Sequence, residues 1–191
     1  MEAKQMETKE IILEATLKMY GKKGLKFTMD DIAHSVNMSK KTIYEVFKNK
    51  EKLFYEMLEY AFDSIKDSER QVMENEELDT IGKIRAILGV LPEPYKEIDF
   101  KQLYVLKKRY PKIYQRLEER LESGWEATIE LLKQGMKEGV IRNINIPIFK
   151  TMFEASVEQF FQRNVLMYSN ISYHQALEEV VNIMMDGIAT P

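Results

Sequence analysis

Apolar residues recur along this chain at three- and four-residue steps, and no segment keeps a two-residue alternation of apolar and polar positions. Helices are therefore expected and strands are not, so the predicted fold class is all-α. An amphipathic helix comes first, with Ile12, Leu13, Thr16, Leu17 and Tyr20 on one face and Gly24 after it. Thr28 is a good N-cap residue with Asp31 three positions on, and Phe27 and Ile32 stand where a hydrophobic staple closes. The helix this begins buries Ile32, Ala33 and Val36. It stops at Asn37, because Asn is one of the few non-glycine residues that enters the left-handed region cheaply. Ser39 then caps a second short helix, stapled by Met38 and Ile43, and Asn49 caps a third. Helix, turn and helix fit within about twenty residues.

Beyond Leu53 the stripe Phe54, Met57, Leu58, Ala61, Phe62 and Ile65 predicts a helix over 53–66, and the acidic, polar run 67–79 is expected to end it. Ile81, Ile84, Leu88 and Leu91 mark another helix, stopped by Pro92 and Pro94. Phe100 to Tyr110 forms a shorter one, closed by Pro111. Ile113, Leu117, Leu121, Trp125, Ile129, Leu132 and Met136 predict one long helix that Gly139 breaks. Two more follow, one opening near Pro147 and one at Ser172, where Gln175 completes a capping box. The expected division is a small domain of residues 1–52 and a helical body of 53–191.

Charge changes this picture. Lys40 and Lys41 fall in the first turn of the second short helix, and Lys50 just after the cap of the third. Each exposed cation at a helix N-terminus costs roughly 0.3–1 kcal/mol at low salt. Opposite phosphates the same cations become favourable, because free backbone N–H groups, the dipole and the ammonium all attract an anion to one place. The alternative is that they are solvated surface residues. Residues 18–52 hold nine Lys against four acids, a net of +5, whereas the whole chain is −3 and the remainder therefore −8. A basic head on an acidic body is the asymmetry expected when one end meets nucleic acid.

Together, Thr28, Ile32-Ala33, the turn Asn37-Met38-Ser39, Thr42-Ile43-Tyr44, Phe47 and Lys50-Glu51-Lys52-Leu53 resemble the DNA-binding segment of TetR-family (TetR/AcrR type) transcriptional regulators. The resemblance covers about residues 8 to 55; beyond them only length and helical character agree. The family usually has Gly in the turn where this chain has Asn37, a swap the left-handed conformation tolerates. By that resemblance Thr28, Tyr44 and Lys50 clamp backbone phosphates, and Lys40, Lys41 and Thr42 face the major groove. With Ser39 and Lys48 these make up the expected DNA-binding set. Lys can donate to guanine O6 and N7 and Thr can touch a thymine methyl, whereas phosphate contacts carry no base information. Tyr44 has a second reading, as packing beside Ile43 and Phe47.

The remaining residues exclude several classes. There is no Cys, hence no disulfide, thiolate chemistry or Cys-based zinc site, which suits a reducing cytoplasm. The charged start MEAKQMETKE cannot act as a signal sequence, and no run of 18 uncharged apolar residues exists. A soluble, cytoplasmic protein is expected. His34 and His174 are the only histidines, and neither belongs to a spaced ligand set; Asp31 with His34, and His174 with Glu178, read as surface pairs. Glu118, Glu119 and Glu122, interleaved with Arg116 and Arg120, read as a charged face rather than an acid–base pair. No enzyme activity, cofactor or metal is expected.

A single short reading helix covers few bases, and a two-fold dimer places two of them about 34–36 Å apart. The last two helices (147–168 and 172–188) carry broad apolar faces, and the resemblance implies that they form the homodimer interface on a palindromic operator. Bundle interiors commonly hold ligands. Tyr95, Phe100, Tyr104, Trp125, Met152, Gln159 and Phe160 are the candidates to line a site for a small apolar or aromatic effector, which the resemblance implies releases a repressor from double-stranded DNA. The alternative is a helix-turn-helix factor that organises DNA or binds a protein partner without small-molecule control.

Overall fold

The computed structural model describes residues 2–91, 100–162 and 171–190, the side chains of 2–5, 100–104 and 161–162 excepted. Tyr95 lies outside the described residues, as do the side chains of Phe100 and Tyr104. The elements run α1 (Glu2–Lys23), a 3-10 turn (Gly24–Lys26), α2 (Met29–Ser35), α3 (Lys40–Val46), α4 (Lys50–Glu74) and α5 (Thr80–Leu88). They continue with α6 (Phe100–Arg109), α7 (Pro111–Glu122), α8 (Glu126–Glu138), α9 (Ile146–Gln162) and α10 (Tyr173–Asp186). The fold is all-α; among the described residues the only strand-like pairing is an isolated bridge between Ile141 and Ala189.

Local chemistry sets the head as expected. The Thr28 hydroxyl accepts from the Asp31 N–H at 3.1 Å while the Asp31 carboxylate accepts from the Thr28 N–H at 2.7 Å, a complete capping box. Asn37 has φ 52 and turns the chain in the left-handed region. Ser39 caps α3 and Asn49 caps α4 through their side chains. Helices α1, α2, α3 and the start of α4 pack around Ile12, Phe27, Ile32, Ile43, Phe47 and Leu53, all fully buried.

Three helix boundaries differ from expectation, the first being that α5 ends at Leu88 with Gly89 in the C-cap position, short of Leu91 and Pro92. Helix α4 does not end near residue 66 but continues through the charged stretch to Glu74, where Asn75 takes the C-cap position. Ion pairs one turn apart (Lys66–Glu69 and Asp67–Arg70) support the extension, and Val72 and Met73 pack on the second of two apolar clusters. Polarity alone does not stop a helix built of good helix formers. The long helix expected over 113–138 is two, because Gly124 has φ +78 and breaks it between Glu122 and Glu126. Gly139, also at positive φ, ends α8 where expected.

The body packs α4 against α5 and α7, α5 against α8 and α10, and α9 against α6, α7 and α10. One apolar cluster is continuous from the head (Ile12, Phe27, Phe47) through α4 (Phe54, Phe62) into α7, α9 and α10 (Leu117, Phe160, Leu177). The other gathers Ile84, Trp125, Leu132, Phe149 and Met185 at the far end. Arg116 and Arg120 are not merely solvated: both reach Glu59, and Arg120 also reaches Asp63 at 2.8 Å, tying α7 to α4.

Candidate nucleic-acid interface

The N-termini of α2, α3 and α4 lie on the head, each capped by a side chain, and the sequence between Thr28 and Lys50 arranges the polar groups around them. On α3, Ile43 and Phe47 point into the core, so Lys40, Lys41, Tyr44 and Glu45 are left exposed and Thr42 half-exposed. Tyr44 is 43% exposed, so its ring is not buried packing. Ser39 caps α3 by accepting from the Thr42 N–H at 3.0 Å, and the two hydroxyls lie 2.8 Å apart. Lys48 is exposed in the loop before α4.

The lysines are not equivalent. The Lys40 ammonium pairs with Asp30 of α2 at 2.8 Å, which raises its pKa above the ordinary value, and Lys41 lies 3.8 Å from Glu45 on its own helix. Both pairs are exposed, where ion pairs hold weakly and exchange readily for phosphate. Lys50 is different. Its ammonium donates to the carbonyl of Leu25 at 2.7 Å and to that of Phe27, and it stands 4.2 Å above the Phe27 ring centre. Burial pushes its pKa down, and the nearby Arg109 cation adds to the effect. The structure thus brings Thr28, Ser39, Lys40, Lys41, Thr42, Tyr44 and Lys48 to the outside of the head, and turns the Lys50 ammonium inward as a brace between the 3-10 turn and α4.

Sequence reasoning missed Glu45, which projects beside Lys41. Its position two residues after the buried Ile43 was the available signal. Asp31 and His34 make no joint site. Asp31 is held by Lys23 at 2.6 Å and by Thr28, which lower its pKa to about 2, whereas His34 Nδ1 lies 2.8 Å from the Asp30 carbonyl. His174 and Glu178 do form a pair one turn apart, at 3.5 Å. No group of three or more His, Cys, Asp or Glu side chains that could hold a metal ion occurs among the described residues.

Two adjoining cavities lie in the body. One of about 120 Å³ is walled by Ile65, Lys66, Leu88, Trp125, Phe153 and Leu177 among others. The second, about 110 Å³ and almost wholly apolar, reaches towards the head between Leu17, Tyr20, Phe54, Met57 and Leu106. Phe62, Ile65, Leu91, Leu121 and Tyr173 are shared and form the partition. Of the expected ligand residues with described side chains, Trp125 alone lines either of these two cavities. Phe160 is buried but packs edge-on against Tyr173 at 5.9 Å. Met152 is 56% exposed and Gln159 is exposed, both on the outer side of α9, because the inner side is taken by Phe149, Phe153, Val157 and Phe160. The cavity residues Phe62 and Leu121 were legible only as parts of apolar stripes, and Tyr173, at the start of α10, fell outside them.

A helix-turn-helix head on a helical body defines a class of DNA-binding regulator. The family model for bacterial regulatory proteins of the tetR family matches residues 12–57. The chain is 28% identical over 177 residues, 93% of each protein, to the uncharacterized HTH-type transcriptional regulator YvaF of Bacillus subtilis (strain 168). Its fold is similar to that of a TetR transcription regulator from Haloarcula marismortui ATCC 43049, with a TM-score of 0.70 at 16% identity over 97% of this chain and 100% of that one. A TetR-family regulator from Cytophaga hutchinsonii gives 0.69 at 16% identity over 98% of both chains. The head thus carries the segment that this family model describes, and the chain as a whole shares the helical fold of these TetR-family structures. No helix among the described residues is long and apolar enough to cross a membrane.

Proposed function

We propose that the protein is a homodimeric repressor, released from a palindromic operator when a small apolar or aromatic molecule enters the body. Residues 1–52 form the reading head and 53–191 the effector and dimerisation body, with α4 belonging to both in packing. In the head, Lys40, Lys41 and Thr42 face the major groove, and Thr28, Ser39, Tyr44 and Lys48 meet phosphates. A regulator of this kind works where the chromosome is, in the cytoplasm.

The observation that carries effector control is that Phe54 lines the apolar cavity on one side and touches head aromatics on the other. Its ring centre lies 5.2 Å from that of Tyr20 and 6.2 Å from that of Phe27. Each cavity is smaller than the roughly 300–1,000 Å³ that holds drug-sized ligands. An effector must therefore displace the Phe62–Leu121–Tyr173 partition, and so move the wall of α4 that carries Phe54. A molecule that binds better to the displaced arrangement lowers DNA affinity, and DNA lowers affinity for the molecule by the same factor.

The dimer is supported by the outer sides of α9 and α10, where Ile148, Met152 and Ile183 are 58, 56 and 65% exposed. Ile148 and Met152 lie one turn apart on α9, and neighbouring exposed apolar residues favour an interaction surface. The test is to select the operator from random duplex DNA, then screen small molecules for release of labelled operator from the full-length protein. Release by an apolar or aromatic compound, abolished by Phe62→Trp or Leu121→Trp, supports the reading. Site-specific binding that no compound disturbs, or binding without site preference, favours the DNA-organising alternative.

A further inference from the structure

Glu45 stands at a place where a carboxylate needs a reason. On α3 the buried position is Ile43, with Val46 half-buried and the C-cap residue Phe47 buried just beyond. At about 100° per residue, Lys41 and Glu45, each two positions from Ile43, fall on the side of the helix opposite the core. The exposures agree: the side chain of Lys41 is 87% exposed and that of Glu45 64%. Lys41, 3.8 Å away, is the one ion-pair partner of Glu45 among the described residues. The middle of the outward face of α3 is therefore a plus–minus pair one helical turn apart.

In a groove flanked by phosphates, a carboxylate weakens binding to any sequence that offers it no donor. Only two major-groove base edges offer an N–H donor, cytosine N4 and adenine N6. Adenine sets its N7 acceptor beside that amino group and repels a carboxylate, whereas cytosine has no acceptor beside N4. The guanine paired with that cytosine presents O6 and N7, the acceptors an ammonium takes. The Lys41–Glu45 pair is thus complementary to the acceptor–donor edge of a G·C pair.

We propose that Glu45 is a specificity-determining residue of this regulator, accepting from the N4 amino group of a cytosine in each half of its operator while Lys41 takes the guanine acceptors beside it. The inference rests on α3 docking by its outward face. The exposed pairing with Lys41 is weak in the free protein, and contact with the base edge replaces it.

The test is selection of bound duplexes from a random pool by the full-length protein, followed by affinity measurements on the winning site and its single-base variants. The proteins are wild type, Glu45→Ala, Glu45→Gln and Lys41→Ala. Wild type is expected to fix one cytosine per half-site and to discriminate against other bases there by about 5- to 150-fold. Glu45→Ala should relax that position to within a few-fold and bind unselected DNA more tightly. Glu45→Gln, whose amide can both donate and accept, should move the preference towards adenine. Lys41→Ala should relax the guanine contact and leave distant positions unchanged. An unchanged base preference in Glu45→Ala, or a wild-type half-site with no such cytosine, overturns the assignment while leaving DNA docking intact. Failure of the wild type to select any site would remove the docking itself and this assignment with it.

Discussion

Tyr110, the residue between α6 and α7, sets its ring edge-on to Phe54 of α4, with centroids 5.6 Å apart. Through Phe54 the contact continues to Tyr20 of α1 and to Phe27 beside α2, so one aromatic chain joins the body to the head. Such ring pairs contribute roughly 0.5–1.5 kcal/mol beyond area burial. Tyr110→Ala should remove the body's end of the chain. Thermal unfolding followed at separate probes in head and body, coincident in the wild type, should separate, with the head melting first. Coincident melting in the variant would mean that α4 alone couples the two.

Lys50 gives a contrast within the basic head. Because its ammonium is committed to the Leu25 and Phe27 carbonyls, Lys50→Met should cost about 1–3 kcal/mol of stability by orphaning those acceptors. The dependence of DNA affinity on salt should scarcely change. Lys48→Ala, at an exposed lysine of the proposed phosphate-binding set, should do the reverse. It should hold its melting temperature within a few degrees and lose salt dependence in proportion to the phosphates released, with a slope change near 0.9 per contact. Affinity titrations at several salt concentrations, beside thermal melts, check both halves. Loss of slope in Lys50→Met would return that residue to the phosphate-binding set.

These contrasts mark what could be read from the chain. Caps at Thr28, Ser39, Asn49 and Ser172, and the left-handed turn at Asn37, depend on three or four neighbouring residues and were legible. The direction of the Lys50 ammonium was not, since its acceptors lie 25 and 23 residues earlier. Leu121 and Trp125 kept a helical step across the α7–α8 break, so periodicity concealed a glycine that turns the chain. On α9 the apolar pattern covers both sides of the helix. Sequence therefore could not say that Phe153 and Val157 face the cavity while Met152 and Gln159 face outward.

Gly124 supplies a test of the α7–α8 break. Its φ of +78 disfavours any side chain, and a Cβ there would lie 2.5 Å from both Cε and Nζ of Lys66. Lys66 is engaged with Glu69 and donates to the Gly124 carbonyl at 2.7 Å, which holds the break against α4. Gly124→Ala should therefore destabilise the protein by about 1–2 kcal/mol from the backbone alone. It should also displace Lys66 from the cavity wall. Gly139→Ala shares the positive φ but meets no atom within 4 Å, so it should show the backbone cost without the displacement. Chemical denaturation of the two variants gives the comparison, and equal losses would exclude a steric contribution at Gly124.

Strong acid should act on the cap of α2. The Lys23 ammonium, followed by the Thr28 N–H, holds the Asp31 pKa at about 2, below its ordinary 3.8. For a carboxyl lowered on folding, the stabilisation is complete above the ordinary value and is lost as pH falls through the folded one. The wild-type head should thus lose stability as pH falls from about 3.8 to about 2, beyond the loss common to other carboxylates. Asp31→Asn should be less stable than wild type at neutral pH, and the two should converge over that interval. Parallel curves for the two proteins across the window would show that the ionised carboxylate adds nothing to the cap.

Two reading heads must be joined rigidly for operator spacing to matter, and the outer sides of α9 and α10 are where a second copy would join. Ile183 of α10 is 65% exposed and Ile148 of α9 is 58% exposed, whereas their neighbours Val181 and Phe149 are buried within the protomer. A charge at position 183 would leave the protomer core intact and be desolvated without a partner in a pair of copies, a cost of several kcal/mol. Ile183→Glu should therefore sediment as a monomer at micromolar concentration, where the wild type sediments as a dimer. It should keep its helical circular dichroism and bind a half-site about as well as a full palindrome. A variant that remained dimeric would move the interface to another surface, and a wild-type monomer bound to a full operator would remove the two-fold geometry altogether.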